Sequence, residues 1–219
     1  MLSRDLSTII ASLRQSLVNL EASLSPCIQA KECYHAQARF ITFLHMITVG
    51  KQAPDFSDIT AYHKGEFTKV SLSDYKGKWL IFFFYPRDFT FICPTELKGF
   101  AKHKEDLQKL GAEVLSASTD SEHSHKAWFE RDLPQVDYPI LADTTQRVSR
   151  NYGVLDESNG ESQRGLFIID PEGLVQYIVI SAGSVGRSVK EVIRVLVALQ
   201  SGELCPVEWE PGQTTLGKA

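Results

Sequence analysis

Cys93 lies in the stretch Phe84-Tyr85-Pro86-Arg87-Asp88-Phe89-Thr90-Phe91-Ile92-Cys93-Pro94-Thr95-Glu96, after an unbroken apolar run that starts at Trp79. A strand, a short loop and then a helix start is where α/β proteins place reactive groups, because the unpaired amides of the first helical turn face the carboxyl end of the sheet. A thiol there feels the positive end of the helix macrodipole, which favours the nucleophilic thiolate. A buried structural role is the commoner fate of a lone cysteine. Here the strand-loop-helix setting favours reactivity.

A helix-start dithiol of the Cys-x-x-Cys kind needs a second cysteine three residues on, where this chain has Glu96. A rapid local disulfide is therefore excluded, and any resolving thiol must come from far along the chain. Cys205, next to Pro206 beyond the last helical segment, is the candidate; spacing alone leaves it equally a spectator. Glu96 itself sets a condition. One helical turn from the sulfur, its negative charge opposes thiolate formation unless cations neutralise it.

The other candidate ligands do not converge. Cys27 and Cys33, with His35 and His45 nearby, have five intervening residues, which fits no common zinc spacing. They read as incidental thiols. His63, His103, His123 and His125 form no ligand or triad pattern and read as surface or core residues. No metal and no cofactor is expected.

The elements that must hold Cys93 follow from periodicity. The segments 57–62 and 67–71 flank His63-Lys64-Gly65-Glu66 as a hairpin. Residues 79–85 are aromatic or aliphatic throughout, as in a central strand covered on both faces. Residues 94–110 read as a helix with Pro94 early and Gly111 closing it. Strand and helix then repeat: 112–118, 121–131, 138–141 and 144–152. A hairpin turning at Pro171-Glu172-Gly173 joins 165–170 to 174–180, and 188–200 forms the last helix. This order predicts an α/β fold with a mixed central sheet flanked by helices, preceded by an N-terminal hairpin and followed by a C-terminal tail.

Composition bounds the rest. The 219 residues are 43% hydrophobic and carry a formal charge of -4, which suits a single folded domain with an appendage and offers no general attraction to nucleic acid or an anionic membrane. The seven-residue apolar run at Trp79 is far shorter than the roughly 18 residues a membrane span requires. Residues 1–45 read differently from the remainder. Leu6, Ile10, Leu13, Leu17, Leu20 and Leu24 recur at the period of an amphipathic helix that ends at Ser25-Pro26. A cytoplasmic location is expected, since this segment lacks a secretory pattern and Asp5 and Glu21 speak against organelle transit.

Four separated motifs, in order, resemble the typical two-cysteine peroxiredoxins: Phe84 to Leu97, Arg164 to Asp170, Gly186-Arg187-Ser188, and Gly202 to Pro206 followed by Trp209. Within that family, Phe89 to Leu97 and His125-Lys126-Ala127-Trp128 are most similar to the peroxidase component of the bacterial alkyl hydroperoxide reductases. The resemblance spans about residues 47 to 215 and leaves 1–45 as an extension, with Met46 as an alternative start. It implies a thioredoxin-like fold and a thiol peroxidase acting on hydrogen peroxide and organic hydroperoxides. Cys93 becomes the peroxidatic thiol, and Cys205 the resolving thiol supplied by the partner protomer of a homodimer, with rings of dimers as a further assembly. Thr90 can turn its hydroxyl toward sulfur and peroxide or cap the helix. Pro86 shields the pocket or merely ends the strand. Arg164, which by spacing alone would be a solvated strand end, supplies charge to the thiolate, and with Arg187 neutralises Glu96. A thioredoxin or a flavoprotein disulfide reductase is the implied electron donor. The competing readings are a thioredoxin-like disulfide exchanger, which Glu96 disfavours, and a holdase chaperone.

Relatives prone to overoxidation carry a Gly-Gly-Leu-Gly insertion and a C-terminal helix with a Tyr-Phe pair. This chain has Asp132 to Asp137 at the first place and ends at Ala219. A loosely held tail and fast disulfide formation are therefore expected. Intact-mass titration with peroxide and a reductant should give disulfide long before sulfinic acid; substoichiometric peroxide yielding mainly doubly oxidised Cys93 would contradict this.

Overall fold

The computed structural model describes residues 47–218. The amphipathic segment read over 6–24, its end at Ser25-Pro26, and Cys27, Cys33, His35 and His45 lie outside the described residues.

A seven-stranded mixed sheet organises the chain. The apolar run becomes β3 (Trp79–Phe84), which pairs in parallel with β4 (Ala112–Ser118), and β4 in turn with β5 (Ile140–Ala142). On one side the sheet ends in the hairpin of β1 (Ile59–His63) and β2 (Glu66–Val70), with β1 antiparallel to β5. Lys64 and Gly65 both have positive φ, 51° and 89°, the turn whose twist matches a two-residue hairpin. On the other side β8 (Arg164–Ile169) runs antiparallel to β3, and β9 (Val175–Ser181) forms the outer edge.

Why β3 is apolar at every position is now explicit. Side chains alternate across a strand. Ile81 and Phe83, with Tyr85 just beyond, enter a core shared with Leu97, Phe100, Leu107, Trp128, Phe129, Val192 and Leu196. Leu80, Phe82 and Phe84 enter a second core with Phe56, Leu141, Val148, Tyr152 and Phe167. The first core is roofed by α1 (Cys93–Lys102), α2 (Lys104–Lys109), α3 (Glu122–Asp132) and α5 (Val189–Ser201), and the second by α4 (Arg147–Asn151) and a 3-10 turn at Leu72–Tyr75.

Two departures from the sequence reading stand out. The helix read over 94–110 is broken at His103, whose φ of -101° and ψ of 11° part α1 from α2. No Gly or Pro marks the break. It lets Leu107 stay fully buried while Lys104 Nζ reaches Asp137 Oδ2 at 2.8 Å, a contact set by the tertiary fold. A small hairpin, β6 (Leu155–Asp156) with β7 (Glu161–Ser162), precedes β8, and strands of two residues are too short to carry an alternation signal.

The tail after α5 is loop-like but tied. Trp209 is 4% exposed, its carbonyl accepts from Arg194 Nη1 at 2.9 Å, and Leu204 and Leu216–Gly217 exchange backbone hydrogen bonds of 2.8 Å. It is anchored more firmly than its composition suggests. Among the described residues, no helix is long and apolar enough to cross a membrane.

Gly165 is the second residue of β8, and a Cβ there would meet Val154 Cγ1 at 2.4 Å. Gly165→Ala should cost about 1–3 kcal/mol by forcing that contact apart, read as a lower urea midpoint with unchanged slope.

Candidate active site

Cys93 is the first residue of α1 and is fully buried. Leu97 and Phe100 of the same helix enter the core beside it, and their packing against the sheet fixes where the sulfur sits. The helix cap is Ile92, with helical dihedrals and no side-chain cap bond, so the capping role open to Thr90 is not realised. Thr90 is half-buried, and its hydroxyl donates to the Arg87 carbonyl at 3.0 Å, closing the loop on itself. Pro86 is half-buried directly after β3. A cleft of about 500 Å³ opens beside the helix start, lined by Phe89, Thr90, Pro94, Lys98, Trp128 and Arg131.

Charge around the sulfur is arranged by two arginines. Arg164, at the start of β8, is 3% exposed; its Nη1 lies 3.5 Å from Cys93 Sγ and 2.6 Å from Glu96 Oε2, and its Nε donates to the Gly183 carbonyl at 2.9 Å. It is no solvated strand end. Arg187 closes the other side of Glu96: its Nε donates to Oε1 at 2.7 Å, its Nη2 to Oε2 at 3.1 Å, and its backbone N–H to Oε1 at 2.8 Å. The remaining Arg187 donors reach the Gly165 and Phe84 carbonyls, and its guanidinium lies over the Phe83 ring at 5.2 Å. Two guanidiniums against one carboxylate leave a net positive charge, and Arg164 presents it to the sulfur. Such a group stabilises negative charge at sulfur and on an oxygen placed beside it.

Burial pushes the Glu96 carboxyl up, but the hydrogen bonds and charge of Arg187, with Arg164 adding to them, overcome this and hold it below its ordinary value of 4.5. Cys205 lies elsewhere, half-buried beyond α5, in a groove of about 400 Å³ lined by Arg194, Val195, Ala198, Leu199 and Val207. Cys93 and Cys205 are both free thiols. The structure therefore gathers Cys93, Arg164, Glu96 and Arg187 into one constellation, sets Thr90 and Pro86 in the adjoining loop, and leaves Cys205 apart.

Sequence reading missed the wiring beneath that loop. Asp88 is 6% exposed and accepts from Tyr85 Oη at 2.8 Å, Ser124 Oγ at 2.7 Å and His125 Nδ1 at 2.8 Å. His125, read only as a surface or core residue, is fully buried. The available signal was slight: an acidic residue just past an apolar strand, and a histidine beside a buried aromatic pair. Among the described residues no group of side chains is placed to hold a metal ion.

A thiol at a helix start on a mixed sheet, faced by a buried arginine and with no second cysteine a turn away, has the setting of a single nucleophile and not that of a local dithiol exchanger. The AhpC/TSA family model matches residues 49–178. The chain is 48% identical over 177 residues to peroxiredoxin-2 of Mus musculus, covering 77% of this chain and 89% of that protein. Among solved structures, Enterococcus faecalis AhpC superposes with a TM-score of 0.69 at 43% identity, over 74% of this chain and all of that one. The reduced 2-Cys peroxiredoxin of Plasmodium vivax gives 0.72 at 33% identity, over 76% of this chain and 91% of that one. The chain belongs to the AhpC/TSA family and is a peroxiredoxin.

A carboxyl held below 4.5 contributes stability that is complete above that pH and is lost as pH falls through its folded value. Urea midpoints should therefore drop below pH 4.5 in the wild type. Glu96→Gln should cost about 3–5 kcal/mol at pH 7, by leaving two buried guanidiniums without their counter-charge, and should flatten the acid limb of that curve.

Proposed function

We propose that this peroxiredoxin reduces hydrogen peroxide and organic hydroperoxides through a Cys93 sulfenic acid, which Cys205 of a second copy of the chain converts to a disulfide. The observation that carries the reading is Arg164 Nη1 standing 3.5 Å from Cys93 Sγ while Glu96 is held by both arginines. The thiolate attacks the terminal peroxide oxygen; the S–O bond forms as the O–O bond breaks, and the departing hydroxide or alkoxide takes up a proton. Arg164 offers N–H donors to that growing negative charge; the Thr90 hydroxyl, bonded here to the Arg87 carbonyl, turns to the peroxide when it binds, and Pro86 screens the reaction. Glu96 and Arg187 act through Arg164, fixing its plane.

The Cys205 thiol then attacks the sulfenic sulfur, releasing water and leaving a disulfide, which a dithiol reductant of thioredoxin type or a flavoprotein disulfide reductase reopens with two electrons and two protons. Cys205 is half-buried beside α5, and β9 is an outer sheet edge with Ile180 exposed, a surface suited to antiparallel pairing with a second copy. Dimers of this kind assembling into a ring complete the reading. The catalytic unit is residues 46–219, with 1–45 as an extension. An antioxidant role in the cytoplasm completes the proposal.

Non-reducing electrophoresis after one equivalent of peroxide tests the scheme. Wild type should run as a disulfide-linked dimer; Cys93→Ser should consume no peroxide; Cys205→Ser should consume one equivalent and stay monomeric under denaturation. A dimer persisting in Cys205→Ser would sink the pairing.

A further inference from the structure

The polar cluster beneath the loop that delivers Cys93 belongs to no step above. It is built at the end of β3. Tyr85, the last apolar residue of the run, carries its hydroxyl to Asp88 Oδ1 at 2.8 Å, and burial, followed by the charge of Asp88, raises its pKa well above the ordinary 10. Tyr85 is therefore a neutral donor. Asp88 Oδ2 accepts from Ser124 Oγ at 2.7 Å and His125 Nδ1 at 2.8 Å, both on α3. The Asp88 backbone N–H donates to Asp120 Oδ2 at 2.9 Å, and Asp120 is itself bound by Ser118 Oγ at the end of β4.

The contacts of His125 bear on the charge of the cluster. Its Nδ1 lies 2.8 Å from Asp88 Oδ2 and 3.3 Å from Tyr85 Oη, and its Nε2 faces the Leu141 carbonyl of β5 at 3.2 Å. A neutral imidazole has one N–H and meets only one of its two flanking oxygens, Asp88 Oδ2 or the Leu141 carbonyl, as a donor. With a hydrogen on each nitrogen both contacts are donated from the ring, an imidazolium beside the Asp88 carboxylate.

The consequence is mechanical. Asp88 is the fifth residue before Cys93, and the next residue, Phe89, turns the chain through a left-handed φ of 56°. The Phe89 ring lies 5.8 Å from that of Trp128 and has the Arg131 guanidinium over it at 4.8 Å. Two consecutive loop residues are thus seated on α3, one by charge and one by its ring, before the chain enters α1. We propose that the buried Asp88–His125 ion pair is a positioning device for Cys93, tying the loop of residues 86–92 to α3 and β5 so that the sulfur meets Arg164. This rests on Cys93 being the peroxide-reactive thiol.

The test begins with the wild-type protein, needing no variant. In reduced, ¹⁵N-labelled protein at pH 7, long-range correlation spectra should show both His125 ring nitrogens protonated; a neutral tautomer overturns the proposal. Single-turnover oxidation of Cys93 by hydrogen peroxide, followed by tryptophan fluorescence, gives the second readout. Asp88→Asn and His125→Gln should each slow it at least tenfold in folded protein, whereas the double variant, with both charges gone, should be no slower than the slower single variant. Folded single variants at the wild-type rate, or a double variant whose loss is the product of the two, overturn it. If either single variant fails to fold, Ser124→Ala, which removes one neutral donor to Asp88, should slow oxidation about threefold, and an unchanged rate counts against the proposal. Wild-type Cys93 inert to peroxide would defeat the proposed function instead, and the His125 spectrum is independent of that outcome.

Discussion

A carboxylate enclosed by two guanidiniums is the constraint around which the reactive end of this molecule is built. Glu96 lies on the same helix face as Cys93, a turn away, and a lone buried negative charge there would both cost several kcal/mol and oppose an anionic sulfur. Arg187 answers it with three hydrogen bonds, one of them from the backbone, and so binds the loop before α5 to α1. Arg164 shares the remaining oxygen and turns the surplus positive charge to Cys93. Electrostatic need and mechanical support are met by the same atoms, which is why the carboxylate beside the thiol serves the site.

The sheet makes that cluster possible. β8 runs antiparallel beside β3, so Arg164 at its start emerges at the same end of the sheet as Phe84, where β3 leaves through the loop to Cys93. Gly165 leaves its carbonyl open to Arg187, and Phe84 contributes another carbonyl from β3. Each arginine is therefore fixed by backbone acceptors as well as by Glu96, and such rigidity keeps a guanidinium aimed at a small target. In the loop before α1, Asp88, Tyr85, Ser124 and His125 form a second buried polar group, in which the Asp88 carboxyl meets three side chains.

Much of the fold was legible in the sequence because local rules governed it. The apolar run of β3, the turn residues Lys64-Gly65 and Pro171-Glu172-Gly173, and the last helix, read over 188–200 and found at Val189–Ser201, all report conformations chosen within a few residues. The break at His103 was not legible, since it depends on where Leu107 and Lys104 find partners in the folded chain. Nor was the short β6–β7 hairpin, whose strands are too brief for a period. At the site, Cys93 and Glu96 were readable as neighbours on one helix, whereas Arg164 and Arg187 entered through family motifs. Asp88 and His125 each lay within a family motif, but nothing in either motif paired them across 37 residues of chain.

By itself, the order of residues determined that a thiol would stand at the start of a helix following a buried strand, that no second thiol would lie within a turn of it, and that Glu96 would need cations. Those are consequences of helical spacing and strand alternation, which act over a handful of residues. Which cations came, what held them, and the contact of His125 with Asp88 were decided only when β8, α3, β5 and the loop before α5 were brought together. Charge pairing in a buried site depends on distances through space, and the chain's sequence separations of 68 and 91 residues between Glu96 and its two arginines carry no information about them.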